Sequence, residues 1–133
     1  MRFNILVVDD SSVTRALIIK TLRLCELELG DIHEAADGQE ALRVLGNKWI
    51  DLALVDINMP VMDGEEMIDR MRSNPATSGL PVIIVSSERS QVRIQGLIRK
   101  GVVFVQKPFT PESLGDAILR SLRGSHEQKS SFI

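Results

Sequence analysis

Four short runs in this chain are apolar almost without interruption: Ile5-Leu6-Val7-Val8, Leu52-Ala53-Leu54-Val55, Val82-Ile83-Ile84-Val85 and Val102-Val103-Phe104-Val105. A strand with one wet face alternates apolar and polar residues, whereas a strand covered on both faces need not. The runs therefore predict a parallel sheet with helices on both sides. A fifth stretch, Asp31-Ile32-His33-Glu34-Ala35, has strand length but little hydrophobicity. It is placed at a sheet edge, where polar residues are tolerated. Between these runs lie segments with helical spacing, such as Val13, Ala16, Leu17 and Leu24, then Met67, Ile68 and Met71, then Leu114, Ile118 and Leu122. Thr110 is placed to cap the last helix, with Pro111 at its first position. Gly30, Gly79 and Pro81 punctuate helix-to-strand turns. Strand and helix alternate five times, which predicts a doubly wound α/β domain of five parallel strands and five helices.

With 133 residues the chain has room for one compact domain and its core. The domain is expected over residues 1–123. The last ten residues, Gly-Ser-His-Glu-Gln-Lys-Ser-Ser-Phe-Ile, lack periodicity and are expected to form a flexible tail over 124–133. Net charge is −2 with acids and bases interspersed, so the broad positive field needed for direct nucleic-acid binding is missing. No stretch approaches the roughly 20 apolar residues of a membrane span, and the N-terminus does not resemble a signal peptide. Cys25 is the sole cysteine, which excludes an intrachain disulfide or a cysteine metal cluster. A cytoplasmic protein, not bound to a membrane, is the expectation.

In doubly wound sheets, ligands bind beyond the carboxyl ends of the strands. The first run ends in Asp9-Asp10, the third strand in Asp56 and the fourth in Ser86-Ser87, while the fifth is followed by Lys107-Pro108. Three acids, a hydroxyl and an amine thus share one edge. Any one of them alone is better read as a helix cap or a turn residue. Together they are not. Three clustered carboxylates repel one another unless a cation or protons neutralise them. An oxygen-only donor set without His or Cys suits a hard ion, and Mg²⁺ fits best because it retains waters and accepts a phosphate oxygen. Lysine and serine then suit phosphoryl transfer, where cation, amine and hydroxyl share the three oxygens of the moving group.

The chain resembles the receiver domain of bacterial two-component response regulators, particularly the CheY-like form, over residues 4 to about 123. The matching motifs are Val7-Val8-Asp9-Asp10-Ser11 with Arg15, Asp37-Gly38-Gln39-Glu40-Ala41-Leu42, Asp56 through Gly64 (Asp-Ile-Asn-Met-Pro-Val-Met-Asp-Gly), Ser86-Ser87 and Lys107-Pro108-Phe109. The resemblance implies a flavodoxin-like strand order of 2-1-3-4-5. It implies that Asp56 accepts a phosphoryl group from a sensor histidine kinase. Mg²⁺ would be ligated by Asp10, Asp56 and the backbone carbonyl of Asn58, with Asp9 acting through water. Lys107 would pair with a phosphate oxygen, often beside a cis bond to Pro108. Ser86 and Phe104 would form the switch pair, carrying the change to a partner-binding face over residues 88–123. Phe104, Ile94, Leu97 and Ile98 could equally be core. Asn58 and Glu88 flank the route of a hydrolytic water in the CheY-like combination, which implies comparatively fast self-dephosphorylation.

The resemblance makes this a stand-alone signalling domain that catalyses no reaction but its own phosphorylation and dephosphorylation, and that acts on a downstream effector protein. A monomer is expected, with a dimer on phosphorylation as the alternative. Competing readings are a receiver fragment of a larger regulator or hybrid kinase, and a phosphohydrolase with a phospho-aspartate intermediate. The hydrolase needs a substrate pocket, and its family places an Asp-x-Asp motif after the first strand, where this chain has adjacent acids.

Overall fold

The computed structural model describes residues 2–130, with side chains described over 2–123. The elements alternate as β1 (Phe3–Val8), α1 (Ser12–Leu24), β2 (Leu29–Ala35), α2 (Gly38–Asn47), β3 (Leu52–Val55), α3 (Gly64–Ser73), β4 (Val82–Ser86), α4 (Gln91–Ile98), β5 (Val102–Gln106) and α5 (Pro111–Ser130). All strand pairings are parallel, in the order β2-β1-β3-β4-β5. The four apolar runs are the four strands from β1 to β5 apart from β2, which lies at the edge and is the polar one. α5 is helical through Ser130, over part of the expected tail, because Glu, Gln and Lys extend a helix without needing an apolar face. Residues 131–133 of that tail lie outside the described residues.

Successive strand residues point to opposite faces, and both faces are covered. Ile5, Val7, Leu52, Leu54, Ile83 and Val85 pack on one side with Ile18 and Leu22 of α1 and Leu114, Ala117 and Ile118 of α5. Leu6, Val8, Ala53, Val55, Val82 and Ile84 pack on the other with Ala41 of α2, Met67, Ile68 and Met71 of α3 and Leu97 of α4. This is why the runs do not alternate.

Two local expectations are corrected. α1 buries Ile18, Thr21 and Leu22, while Val13, Leu17 and Leu24 of the expected stripe are exposed. The helix carries apolar residues nearly all round, so spacing alone selects no face. Gly30 lies inside β2 and not in a turn. A side chain there would run into Asn4, whose Oδ1 accepts the Asp31 N–H at 2.8 Å beside a register irregularity between Phe3 and Ile5. The α5 start matches expectation, because Ser113 N–H donates to Thr110 Oγ1 at 3.0 Å and Thr110 N–H to Ser113 Oγ at 2.9 Å.

At the amino ends of β4 and β5, Arg72 of α3 holds four backbone carbonyls. Its Nε donates to Lys100 (3.0 Å), Nη1 to Ser78 (3.1 Å) and Leu80 (2.8 Å), and Nη2 to Gly101 (3.1 Å). Burial lowers its pKa from the usual value, but a guanidinium remains charged at any ordinary pH. One side chain thus fastens the end of α3, the loop to β4 and the α4–β5 turn together.

Candidate functional site

The carboxyl ends of β1, β3, β4 and β5 stand side by side, and strand order reverses at β1, with β2 on one flank and β3 on the other. Carboxylate oxygens of Asp9, Asp10 and Asp56 gather there, all within 4.8 Å of one another. Asp9 is buried, Asp56 half-buried and Asp10 exposed. Lys107 reaches across from β5, with Nζ 3.2 Å from Asp9 Oδ2 and 3.8 Å from Asp56 Oδ1. Asp9 Oδ1 accepts the Ser11 N–H at 2.9 Å. Arg15 Nη1 donates to the Asp9 carbonyl at 2.6 Å, and its Nε pairs with Glu34 at 3.0 Å. Both Asp9 oxygens are therefore already engaged, whereas Asp10 is open to solvent.

Asp56 is fixed by its backbone. Its N–H donates to the Val8 carbonyl at 2.9 Å, and its Oδ1 accepts the Ile57 N–H at 2.9 Å. Burial raises its pKa above the ordinary carboxylate value; Lys107 opposes this, Asp9 and Asp10 add to it, and the Ile57 N–H opposes it. The donor set fits a hard divalent cation. It is all oxygen, it is anionic beyond what one lysine neutralises, and it keeps a protonation penalty on Asp56 that a cation would remove.

The loop after Asp56 is pinned by two helix starts. Gly64 N–H donates to the Ile57 carbonyl at 2.8 Å and Gly38 N–H to the Met62 carbonyl at 2.9 Å. A Cβ on Gly64 would collide with the Asp56 carbonyl oxygen and lie 3.1 Å from Ile57 Cα. The importance of Gly64 escaped the motif reading, although an acid-glycine pair at a helix start was a signal for it. Between the pins, Met62 N–H donates to the Pro60 carbonyl at 2.7 Å around Val61, whose φ is 66°. This is a tight turn in the left-handed region, where a β-branched residue is strained. Val61 is exposed and packs on little that would offset the strain. Val61→Gly is expected to stabilise the protein by about 0.5–1 kcal/mol, the left-handed penalty less the backbone entropy of glycine. Urea unfolding should show a higher midpoint at an unchanged slope; an unchanged or lower midpoint would contradict it.

Ser86 is buried and sits at the end of β4. Its Oγ accepts the Glu88 N–H at 3.1 Å, and its carbonyl accepts the Lys107 N–H at 2.8 Å. The Lys107–Pro108 bond is cis. Phe104 is half-buried on β5, opposite Ile84, and packs against the α2–α4 side of the core. Ile94 and Leu97 are core, whereas Ile98 is 40% exposed. Asn58 is exposed in the loop beyond Asp56. The Glu88 carboxylate is turned to its own loop, and the Arg89 and Ser90 N–H groups, with Arg93, hold it below the usual carboxylate range. The structure thus brings Asp9, Asp10, Asp56 and Lys107 together, with Ser86 at the neighbouring strand end.

Residues 5–119 match the family model of the response regulator receiver domain. The chain belongs to the response regulator receiver family. Among similar curated proteins is a chemotaxis protein CheY homolog of Campylobacter jejuni, 34% identical over 117 residues that cover 86% of this chain and 88% of that one. Chemotaxis protein CheY1 of Helicobacter pylori is also 34% identical, over 86% of this chain and 93% of its own. Among solved structures, chemotaxis protein CheY4 of Vibrio cholerae superposes with a TM-score of 0.80 at 30% identity, covering 91% of this chain and 99% of the other. NtrX of Brucella abortus superposes with a TM-score of 0.84 at 27% identity, over 98% of this chain but 29% of that longer one. Receiver domains are two-component signalling domains, and the family thereby agrees with the resemblance read from the motifs. No helix among the described residues is long and apolar enough to cross a membrane.

Proposed function

We propose that this receiver is a phosphorylation switch in which Asp56 is the acceptor. The observation that carries the reading is the placement of Lys107 Nζ beside both Asp9 and Asp56 at the edge of a three-carboxylate cluster. A carboxylate oxygen of Asp56 attacks the phosphorus of a phosphohistidine on a sensor kinase. The P–O bond forms as the P–N bond breaks, and the departing imidazole nitrogen takes a proton. Asp10, Asp56 and the Asn58 carbonyl would hold Mg²⁺, with Asp9 behind a water; bound there, the ion neutralises charge on the phosphate oxygens. Lys107 moves from Asp9 to a phosphate oxygen. The Ser86 hydroxyl donates to another, and Phe104 turns inward into the space that opens.

The aspartyl phosphate adds charge and acceptor oxygens at one strand end, and the response is carried to the face over residues 88–123, where a downstream effector binds. The protein works as a cytoplasmic monomer and turns over no external substrate. The clefts between α2 and α3, beside β5 and α5, and at the amino end of the sheet are lined by residues other than the three acids, which disfavours a hydrolase. A second reading, a receiver within a larger regulator, is favoured by the match to the longer NtrX chain.

Incubation with Mg²⁺ and acetyl phosphate should add the mass of one phosphoryl group, and chelation of the metal should prevent it. No mass change in the wild type would overturn the reading. Steady hydrolysis of many phosphomonoesters would favour the hydrolase.

A further inference from the structure

The β4–α4 loop is fastened through a single residue, Glu88. Its N–H is held by Ser86 Oγ at 3.1 Å. Its carbonyl accepts from Gln106 Nε2 of β5 at 3.1 Å. Its Oε2 accepts the N–H groups of Arg89 at 3.0 Å and Ser90 at 3.4 Å, and its Oε1 pairs with Arg93 Nη1 of α4 at 3.1 Å. Gln106 and Phe104 are two residues apart on β5, so both side chains leave the strand on the same face. The clasp therefore lies on the side of β5 where the switch aromatic sits.

Ser86 is buried, so its hydroxyl satisfies its bonding inside the protein, and here it serves as acceptor for the loop. A change of χ1 rotamer carries Oγ away from the Glu88 amide, because staggered wells lie about 120° apart. A Ser86 hydroxyl turned to a phosphate oxygen thus gives up, or drags with it, the residue on which Gln106 and Arg93 pull.

We propose that Arg93 and Gln106 are positioning residues which, through Glu88, hold Ser86 and the β4–α4 loop in the resting arrangement and so weaken the response to phosphorylation. This rests on the proposed function. The two contacts belong to different elements, α4 and β5, and each pulls on a different group of Glu88. Loosening either one favours the active arrangement without touching Asp56, Lys107 or the acids.

The test uses the intact chain and binding of beryllofluoride, a phosphoryl mimic, in the presence of Mg²⁺. Arg93→Ala and Gln106→Ala should each tighten its binding about threefold, the amount expected of a partly exposed ion pair or a single hydrogen bond. Arg93→Lys, which keeps a cation near Glu88, should stay close to wild type. High salt should bring wild type towards Arg93→Ala, because the ion pair is screened, while leaving the Gln106→Ala increment in place. Equal or weaker binding by both alanine variants, with unchanged melting, overturns the clasp while the switch stands. A wild type that binds no beryllofluoride sinks the switch, and the clasp with it.

Discussion

An Asp56→Asn protein should take up no phosphoryl group from acetyl phosphate and, in metal-free buffer at neutral pH, should unfold at higher urea than the wild type. The first effect follows from the proposed acceptor role, since an amide is a far poorer nucleophile than a carboxylate. The second follows from the environment of Asp56. Burial first, then the charges of Asp9 and Asp10, raise its pKa against the pull of Lys107 and the Ile57 N–H. A carboxyl whose folded pKa lies above its unfolded value binds its proton more tightly when folded. Stability contributed by that proton is present below the unfolded pKa and is lost as pH rises through the folded one. At neutral pH the wild type therefore bears the full cost of an ionised Asp56, and the asparagine does not. The gain is on the order of 1 kcal/mol, a typical single-residue effect. It should vanish as pH falls below the ordinary Asp value of about 3.9. Added Mg²⁺ should stabilise the wild type selectively and narrow or invert the difference. A variant less stable than wild type at neutral pH without metal would show that the lysine contact outweighs desolvation.

Gly64→Ala is expected to damage both fold and site, whereas Gly46→Ala should stabilise. The Gly64 Cα approaches the main chain of Asp56 and Ile57 so closely that a methyl meets backbone, at 3.1 Å from the Asp56 carbonyl carbon and closer still to its oxygen. Backbone cannot rotate aside as a side chain can. Relief requires α3 to draw away from β3, breaking the Gly64–Ile57 hydrogen bond and tilting the acceptor. The expected loss is about 3 kcal/mol, the upper end of overpacking costs, with phosphoryl uptake reduced at least tenfold. Gly46 lies in exposed α2 with nothing within 4 Å of its built Cβ. Alanine there should add about 1 kcal/mol from helix propensity alone. Urea unfolding of both variants, with acetyl phosphate labelling of the folded fraction, checks the pair. A Gly64→Ala protein of wild-type stability and labelling would refute the close-approach argument.

Much of this was legible because strand periodicity places chemistry. Asp10, Asp56 and Lys107 each follow an apolar run, and a parallel sheet must bring those ends together. β2 was legible through the polarity of Asp31 and Glu34, which an edge permits. The buried face of α1 was not, because Val13, Leu17, Ile18 and Leu22 offer several apolar stripes and only the partner surface selects one. Gly30 read as a turn because its reason for being glycine, the Asn4 side chain, lies 26 residues earlier in sequence. The Glu88 clasp left no trace in spacing, since it depends on the side-chain conformations of Glu88, Arg93 and Gln106 from three separate segments. Arg72 looked like an ordinary surface base at the end of a helix, and nothing in its neighbours announces four carbonyls gathered from two distant turns.

Those four carbonyls make Arg72 a fulcrum. They do not titrate, so the α4–β5 turn stays fastened through acidity changes that would discharge the carboxylates at the other end of the sheet. α4 spans eight residues from Gln91 to Ile98, with the loop that answers to Ser86 before it and the fastened turn after it. At 1.5 Å per residue it is a rod about 12 Å long, so a shift of about 1 Å at its free end swings it through about 5°. A hydroxyl turning over inside the protein is thereby geared up to a reorientation of the exposed ridge that carries Val92 and Ile98.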